Sequence, residues 1–367
     1  MPYMRRAVAG FDVGGTKIAL ALEDETGARL GRVTEPTDTT SSSIEILVAE
    51  SVYHGLAEQL ARMLEDALGA ASVDRIAAIA VVSTGPIREG ELRSPTNIFP
   101  DRLVGNARQL PRRIPLAAPL QRTFDCPVAL LNDCAGAVLG EVYRGVGKEV
   151  RDKSSLHLVY ATISTGFGVA AWDGGHLVAG KHGNAGELGH IPVVADGLPC
   201  GCGNRGCAEA YASGGGIRRN AERRLLKLDD ETARSLPLAR LLVRGTPDAP
   251  AVGGVERLTD RLTSEMVFEA AANEDPVAVD VIEEAIFAAG VALSVAANAY
   301  DPSIITVGGA IALAHPEIVA PIEREMREHL NVLPPEVCVT PLADAVTEEG
   351  ALALAHDMLR RGRAEGR

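Results

Sequence analysis

Hydrophobic and polar positions along this chain change period several times, and each change predicts an element. Ala7 to Phe11 is a short apolar run, Ile18 to Leu22 is a second, and two adjacent glycines, Gly14 and Gly15, stand between them. Two apolar runs so close around such a turn predict a β-hairpin. From Ser43 to Leu68, the residues Ile44, Leu47, Val48, Leu56, Leu60, Met63, Leu64 and Leu68 recur at mostly helical spacing, which predicts one helix. Ile76 to Val82 predicts a buried strand ended by Ser83-Thr84-Gly85-Pro86. Val128 to Leu131 predicts another, running into Asn132-Asp133 and a helix, and Leu156 to Thr162 a third, followed by a turn at Ser164-Thr165-Gly166. A long helix from about Pro276 to Tyr300 leads into a buried strand that ends at Gly308-Gly309. The last helix, Glu348 to Arg361, offers Leu352, Ala355 and Leu359 to a core. Leu226 to Leu258 is irregular and mixed in charge, and reads as a surface excursion. Strands alternating with helices place the chain in the α/β class.

Composition narrows the function. At 367 residues there is room for two domains, each with its own core, and 46% hydrophobic with 23% charged residues describes a soluble globular protein. Lys and Arg number 36 against 49 Asp and Glu, a net charge of −13, which disfavours broad attraction to nucleic acid or anionic lipid. An anionic ligand must therefore be held by local groups. The segment MPYMRRAVAGFDVGG enters a strand at once, without a long apolar run and a cleavage site, and the apolar stretch Ala285 to Ala297 is shorter than a membrane span. The cytoplasm is the expected compartment.

The most concentrated chemistry lies between Asn184 and Ser213, NAGELGHIPVVADGLPCGCGNRGCAEAYAS. Cys200, Cys202 and Cys207 fall within eight residues and are separated by Gly and Asn, which let backbone wrap around one point. Cys200 and Cys202 are too close to bridge each other without strain, and three cysteines leave one over. A tetrahedral zinc site needs a fourth ligand, and His190 is the nearest candidate; a cluster of free thiols is the alternative. Four protein ligands close the shell, so this zinc is expected to be structural.

Two turns carry anion-binding features. Gly14, Gly15, Thr16 and Lys17 can bring backbone N–H groups and a hydroxyl to a phosphate, and Asp12 can reach a Mg²⁺ that bridges phosphates. The same residues also suit an ordinary hairpin. Thr165 and Gly166 form a second such turn, and a pair of them suggests a nucleotide. Gly308 and Gly309 can support a nucleoside base or ribose. Asp133 at a strand's carboxyl end either faces a ligand crevice or caps the helix that follows; capping leaves the adjacent Asn132 unexplained. Gly85 and Asn97 follow a strand end, where Asn97 is either drawn toward a cleft or an ordinary turn residue.

These segments together resemble the ROK family of sugar kinases and repressors, within the actin-like ATPase superfamily. CGCGNRGCAEAYAS matches the family's zinc signature CxCGxxGCxE, and DVGGTK, LLNDCAGAVLGE, GNAGELGH and ITVGGA match its first phosphate loop, catalytic, sugar-binding and adenosine segments in order, from about Gly10 to Ala355. The second phosphate loop departs from the usual GTGxGGG at Ser164, Val169 and Ala170, and Ala310 stands where a third adenosine-segment glycine is usual. Only eleven residues precede Asp12, which leaves no room for the DNA-binding element of the family's repressors.

The resemblance implies a two-lobed ribonuclease-H-like α/β fold with a zinc knuckle. Residues 1–125, completed by helix 348–361, would form a small lobe and 126–347 a large one, with sugar and ATP in the cleft. It implies ATP-dependent phosphorylation of a hexose at the 6-hydroxyl, glucose first, with N-acetylmannosamine or N-acetylglucosamine as alternatives. Asp133 would be the general base; Gly85, Asn97, Asn132, Glu187, His190 and Glu209 would bind sugar; Asp12, Gly14, Gly15, Thr16, Lys17, Thr165, Gly166, Gly308 and Gly309 would hold ATP with Mg²⁺. His190 would serve zinc and sugar at once. A homodimer or homotetramer is expected, without nucleic-acid or membrane partners. A sugar-sensing regulator without catalysis is the reading from another class.

Overall fold

A computed structural model describes residues 5–39, 44–47, 50–93, 98, 103–104, 107–108, 112–243, 259 and 261–365. The chain opens with three antiparallel strands, β1 (Arg6–Val13), β2 (Lys17–Asp24) and β3 (Arg29–Pro36). The segment expected to be one helix from Ser43 then divides. β4 (Ile44–Leu47) and β5 (Glu50–Tyr53) form an antiparallel pair, and the helix α1 starts only at Gly55 and runs to Ala71. The reason is tertiary: β5 pairs in parallel with β11 (Arg113–Pro115), and a sheet partner outweighs helical spacing over so few residues.

After α1 come β6 (Arg75–Ser83), the short strands β7 (Ile87–Arg88) and β8 (Glu91–Arg93), and β9 (Leu103–Val104) paired with β10 (Ala107–Arg108). After β11, α2 (Ala117–Phe124) leads to β12 (Val128–Asn132) and α3 (Asp133–Tyr143). One sheet has the order β12-β6-β1-β2-β3 and another β4-β5-β11-β8-β7.

Alternation in β1 and β6 sends two different residue sets to the two faces of the first sheet. Phe11, Ile79 and Val81 join Leu56, Leu60, Met63 and Leu64 of α1 in one buried core. The opposite face carries small residues, Val8, Ala78, Ala80 and Val82, and packs against Ala351, Leu352 and Ala355 of the last helix, α12 (Val346–Glu365). Close approach depends on glycine. A Cβ on Gly10 would stand 2.8 Å from the Leu352 backbone nitrogen, and one on Gly350 would collide with the Gly136 carbonyl of α3.

Beyond α3 the strands are β13 (Leu158–Ile163), β14 (Phe167–Asp173), β15 (His176–Leu177), β16 (Ile304–Gly308) and β17 (Glu336–Val339), in the sheet order β15-β14-β13-β16-β17. The helices before β16 are α4 (Glu209–Ala212), α5 (Gly214–Leu225), α6 (Asp230–Ser235), α7 (Pro237–Val243), α8 (Ser264–Ala272) and α9 (Pro276–Tyr300), and after it come α10 (Ala310–Ala314) and α11 (Val319–Arg327). The stretch expected to be irregular is thus helical up to Val243; residues 244–258 lie outside the described part. Its anchor is Asp275, fully buried, whose carboxylate caps α9 at the Ala278 N–H (3.0 Å) and accepts from the Leu238 N–H of α7 (2.8 Å).

The chain forms two compact units: residues 1–158, 170–186 and 340–367, and residues 159–169 with 187–339. These bounds differ from a division at 125, because β12 pairs with β6 and α3 packs on α12. No helix among the described residues is long and apolar enough to cross a membrane.

Candidate active site and metal centre

In the first unit, β1, β6 and β12 run parallel, and their register aligns Val13, Ser83 and Asn132 at the carboxyl ends. That edge is where open α/β sheets place ligands. The Ser83 hydroxyl donates to the Val13 carbonyl (2.9 Å) and ties two of the strand ends together. Asn132 is the N-cap of α3: its Oδ1 accepts the Cys134 N–H at 2.9 Å. Asp133 is the first helical residue, and its Oδ1 accepts the same N–H at 2.8 Å. Asn132 thus does the capping that sequence offered to Asp133. The acid sits in the first turn, where the helix dipole favours a negative charge.

Gly85 approaches this edge closely. A Cβ there would lie 3.3 Å from Asn132 Nδ2 and 3.8 Å from Asn184 Oδ1. Asn184 was not among the expected site residues, although it stands in GNAGELGH. Its Oδ1 accepts the Ile87 N–H (3.0 Å) while its Nδ2 donates to the Ile87 carbonyl (2.9 Å). Asn97 lies outside the described residues.

The turn between β1 and β2 is closed by the Gly14 N–H donating to the Lys17 carbonyl (3.0 Å), and the Gly14 carbonyl accepts from Thr37 Oγ1 (2.7 Å). Thr16 and Lys17 are exposed on it. Asp12, just before the turn, accepts a 2.7 Å hydrogen bond on Oδ2 from the Thr347 hydroxyl. Burial holds the Asp12 carboxyl above the usual carboxylate range, opposed by the Thr347 bond and reinforced by the charge of Glu348. A single carboxylate with hard oxygens suits Mg²⁺ that keeps most of its waters and bridges to phosphates. Sequence gave no hint of Thr347, which is 335 residues away.

The second unit gathers the cysteines. One ligand atom from each of His190, Cys200, Cys202 and Cys207 lies within 4.8 Å of the others. The Cys202 and Cys207 sulfurs are 3.7 Å apart, and Cys200 Sγ is 3.7 Å from His190 Nδ1. Thiolates about 2.3 Å from a shared tetrahedral ion stand about 3.8 Å apart, so the donor set and its spacing fit zinc. Local backbone makes the spacing. Gly203 and Gly206 have φ of 95° and 74°, and a side chain on Gly206 would collide with the Val194 carbonyl. The Tyr211 hydroxyl accepts the Leu198 N–H at 2.8 Å. Burial pushes the Cys207 thiol up to about 12, so metal binding displaces protons there.

His190 turns Nδ1 toward the sulfurs, and its Nε2 lies 3.9 Å from Glu187 Oε2. Glu209 opens α4; its Oε1 is 3.9 Å from His190 Nδ1, and its Oε2 accepts the Phe167 N–H at 3.2 Å. Glu187, His190 and Glu209 are therefore brought together around the knuckle. A profile described as the ROK family matches residues 8–358.

The chain belongs to the ROK family. It is 31% identical over 321 residues to a glucokinase of Streptomyces coelicolor, which covers 88% of this chain and 87% of that one. It is 32% identical over 260 residues to an N-acetylmannosamine kinase of Escherichia fergusonii, 66% of this chain and 79% of the relative. A solved ROK glucokinase from Streptomyces griseus, in complex with glucose and AMPPNP, is 29% identical with a TM-score of 0.64, covering 96% of this chain and 99% of that one. The fold is accordingly the mixed α/β architecture of the actin-like ATPases.

Where this ROK chain departs from the usual second loop, the structure supplies a packing reason. Val169 and Ala170 are buried inside β14, and Ser164 closes its own turn by donating its N–H to the Gly166 carbonyl (2.9 Å). Thr165 is exposed on that turn, and a Cβ on Gly166 would stand 2.8 Å from Glu209 Oε2. Gly309 has φ of 91° and lies against β13, where a Cβ would come within 2.5 Å of Thr162 Oγ1 and 2.6 Å of the Ile163 carbonyl. Glycine is needed there for packing as well as for any nucleotide contact.

Proposed function

We propose that this ROK chain is an ATP-dependent hexose kinase that transfers the γ-phosphoryl group of ATP to the 6-hydroxyl of a hexose, with glucose as the first substrate. The observation that carries the reading is Asp133, a carboxylate at the carboxyl end of β12 whose neighbour Asn132 already caps the helix. In this reading Asp133 takes the proton of the attacking hydroxyl as the new O–P bond forms, and ADP leaves with the electron pair of the broken bond. Asn132 and Gly85 bind the sugar, and Asn97 belongs to the same expected set. Glu187, His190 and Glu209 also bind it in this reading, paired polar groups that select a polyol. His190, Cys200, Cys202 and Cys207 would hold a structural zinc, which would fix the His190 tautomer and leave Nε2 for the sugar.

Asp12 would hold Mg²⁺, which neutralises phosphate charge, while Gly15, Thr16, Lys17, Thr165 and Gly166 offer donors to the phosphates. Gly308 and Gly309 would support the adenosine. A homodimer or homotetramer completes the proposal on family resemblance, and a cytoplasmic location on the sequence features that point to it.

An N-acetylmannosamine kinase is the second reading, supported by the 32% identity to a relative of that name. The test is ADP release, followed in a coupled assay, across glucose, mannose, fructose, N-acetylglucosamine and N-acetylmannosamine. Highest kcat/KM on glucose is expected; highest kcat/KM on N-acetylmannosamine would replace the first reading by the second. Saturable sugar binding without turnover on any of the five would mark a sensor instead of an enzyme.

A further inference from the structure

The proposed kinase reading assigns Asp12 to the magnesium-bound phosphates but leaves open what aims its carboxylate. Its Oδ2 is taken by the Thr347 hydroxyl at 2.7 Å, and Oδ1 has no hydrogen-bond partner among the described residues. The two residues are 335 positions apart, so nothing local imposes the contact. Thr347 lies in the first turn of α12, where a β-branched side chain has few rotamers.

That turn is itself held from several directions. Glu348, 2% exposed, accepts from Arg32 Nε (2.8 Å) and Arg29 Nη1 (3.1 Å), and the Arg29 guanidinium also pairs with Glu349. On the other side, Gly350 packs directly against the Gly136 carbonyl, and Gly140 directly against the Val346 carbonyl. Thr347 is thus a fixed donor on a fixed helix. A rigid neighbour that occupies one carboxylate oxygen determines which oxygen, and which rotamer, is left for an incoming cation.

We propose that Thr347 is a positioning residue of the kinase: it engages Oδ2 of Asp12 and thereby presents Oδ1 to the magnesium-bound phosphates of ATP. The inference rests on the reading of Asp12 as the group that holds magnesium nucleotide. It assigns a role to a residue outside the family segments that carry the resemblance.

The test is calorimetric binding of AMPPNP with and without Mg²⁺, alongside kcat and KM for MgATP. Thr347→Val keeps the side-chain shape and removes the donor. It is expected to lose roughly five- to tenfold of the Mg²⁺-dependent gain in AMPPNP affinity, the size of one ordinary intramolecular hydrogen bond, and to leave metal-free AMPPNP affinity unchanged. Thr347→Ser, which restores the hydroxyl, is expected to recover the gain. If the valine variant does not fold, Thr347→Ala is read in the same way.

Asp12→Asn, measured in parallel, separates the two ideas. Full loss of the Mg²⁺ gain in Asp12→Asn with a parental gain in Thr347→Val would overturn the role of Thr347 and leave that of Asp12 standing. A parental gain in Asp12→Asn would remove the reading of Asp12 and the proposal with it. Equal weakening of AMPPNP with and without Mg²⁺ in Thr347→Val would show a merely structural contact.

Discussion

The side-chain amide of Asn184 makes two hydrogen bonds to the main chain of Ile87, one to its N–H and one to its carbonyl, across 97 residues of sequence. The pair fixes the backbone that leaves Gly85, and Gly85 in turn lies beside Asn132 Nδ2. Asn184→Ala removes both bonds and leaves the Ile87 groups to find water. A rise in sugar KM of roughly tenfold is expected, with kcat changed less, because the loss falls on orientation and not on proton transfer. Steady-state kinetics with the preferred sugar checks this; an unchanged KM would count against any role for the strap in sugar binding.

Asp133→Asn keeps the size of the side chain and a carbonyl oxygen that can accept the Cys134 N–H. It removes the proton acceptor. Turnover is expected to drop roughly 100- to 10,000-fold, with sugar binding and melting temperature near those of the parent. Normal turnover in a folded variant would end the general-base assignment.

Cys202 is the exposed member of the quartet His190, Cys200, Cys202 and Cys207, so its replacement disturbs the least packing. Cys202→Ser is expected to lower zinc content measured by elemental analysis and the melting temperature by about 5 °C or more. Sugar affinity should fall with it, because His190 shares the quartet and lies between Glu187 and Glu209. Zinc loss with parental sugar affinity would separate scaffold from sugar site.

Glu23, 1% exposed in β2, accepts from Arg144 at 3.2 and 2.7 Å, pairs with His356 Nε2 at 2.8 Å, and has Arg29 at 3.6 Å. Burial alone would raise its carboxyl; the His356 and Arg144 bonds and the Arg29 charge outweigh this and hold it below the usual range. A depressed carboxyl adds stability above its unfolded value, and that stability is lost as pH falls through the folded value. Glu23→Gln should therefore cost about 2 kcal/mol near neutral pH, since it removes the charge-assisted bonds to Arg144 and His356, and less as pH falls below about 4. Urea denaturation of parent and variant from pH 7 to pH 3 measures the difference; a pH-independent gap would exclude the linkage.

What sequence revealed depended on how local each cause was. The grouping of His190 with the cysteines was legible because Cys200, Cys202 and Cys207 sit within eight residues and glycines set their spacing. The strand ends at Val13, Ser83 and Asn132 were legible from apolar runs and the residues that stop them. The pair β4 and β5 was hidden, since Ile44 and Leu47 fit a helical period and only pairing with β11 decides the matter. Thr347 and Asn184 were hidden for the same kind of reason: each is ordinary in its own segment, and its partner lies far along the chain. Which of Asn132 and Asp133 caps α3 depended on backbone angles that composition does not carry.

The lodging of α12 against β1 has a consequence for biosynthesis. The helix that covers the small-residue face of β1 is made more than 300 residues after that strand. Until then Val8, Ala78, Ala80 and Val82 have no lid, while residues 187–339 form a continuous stretch that can fold as it emerges. A nascent chain halted before Val346 would carry its cysteine knuckle and long α9 but an uncovered sheet.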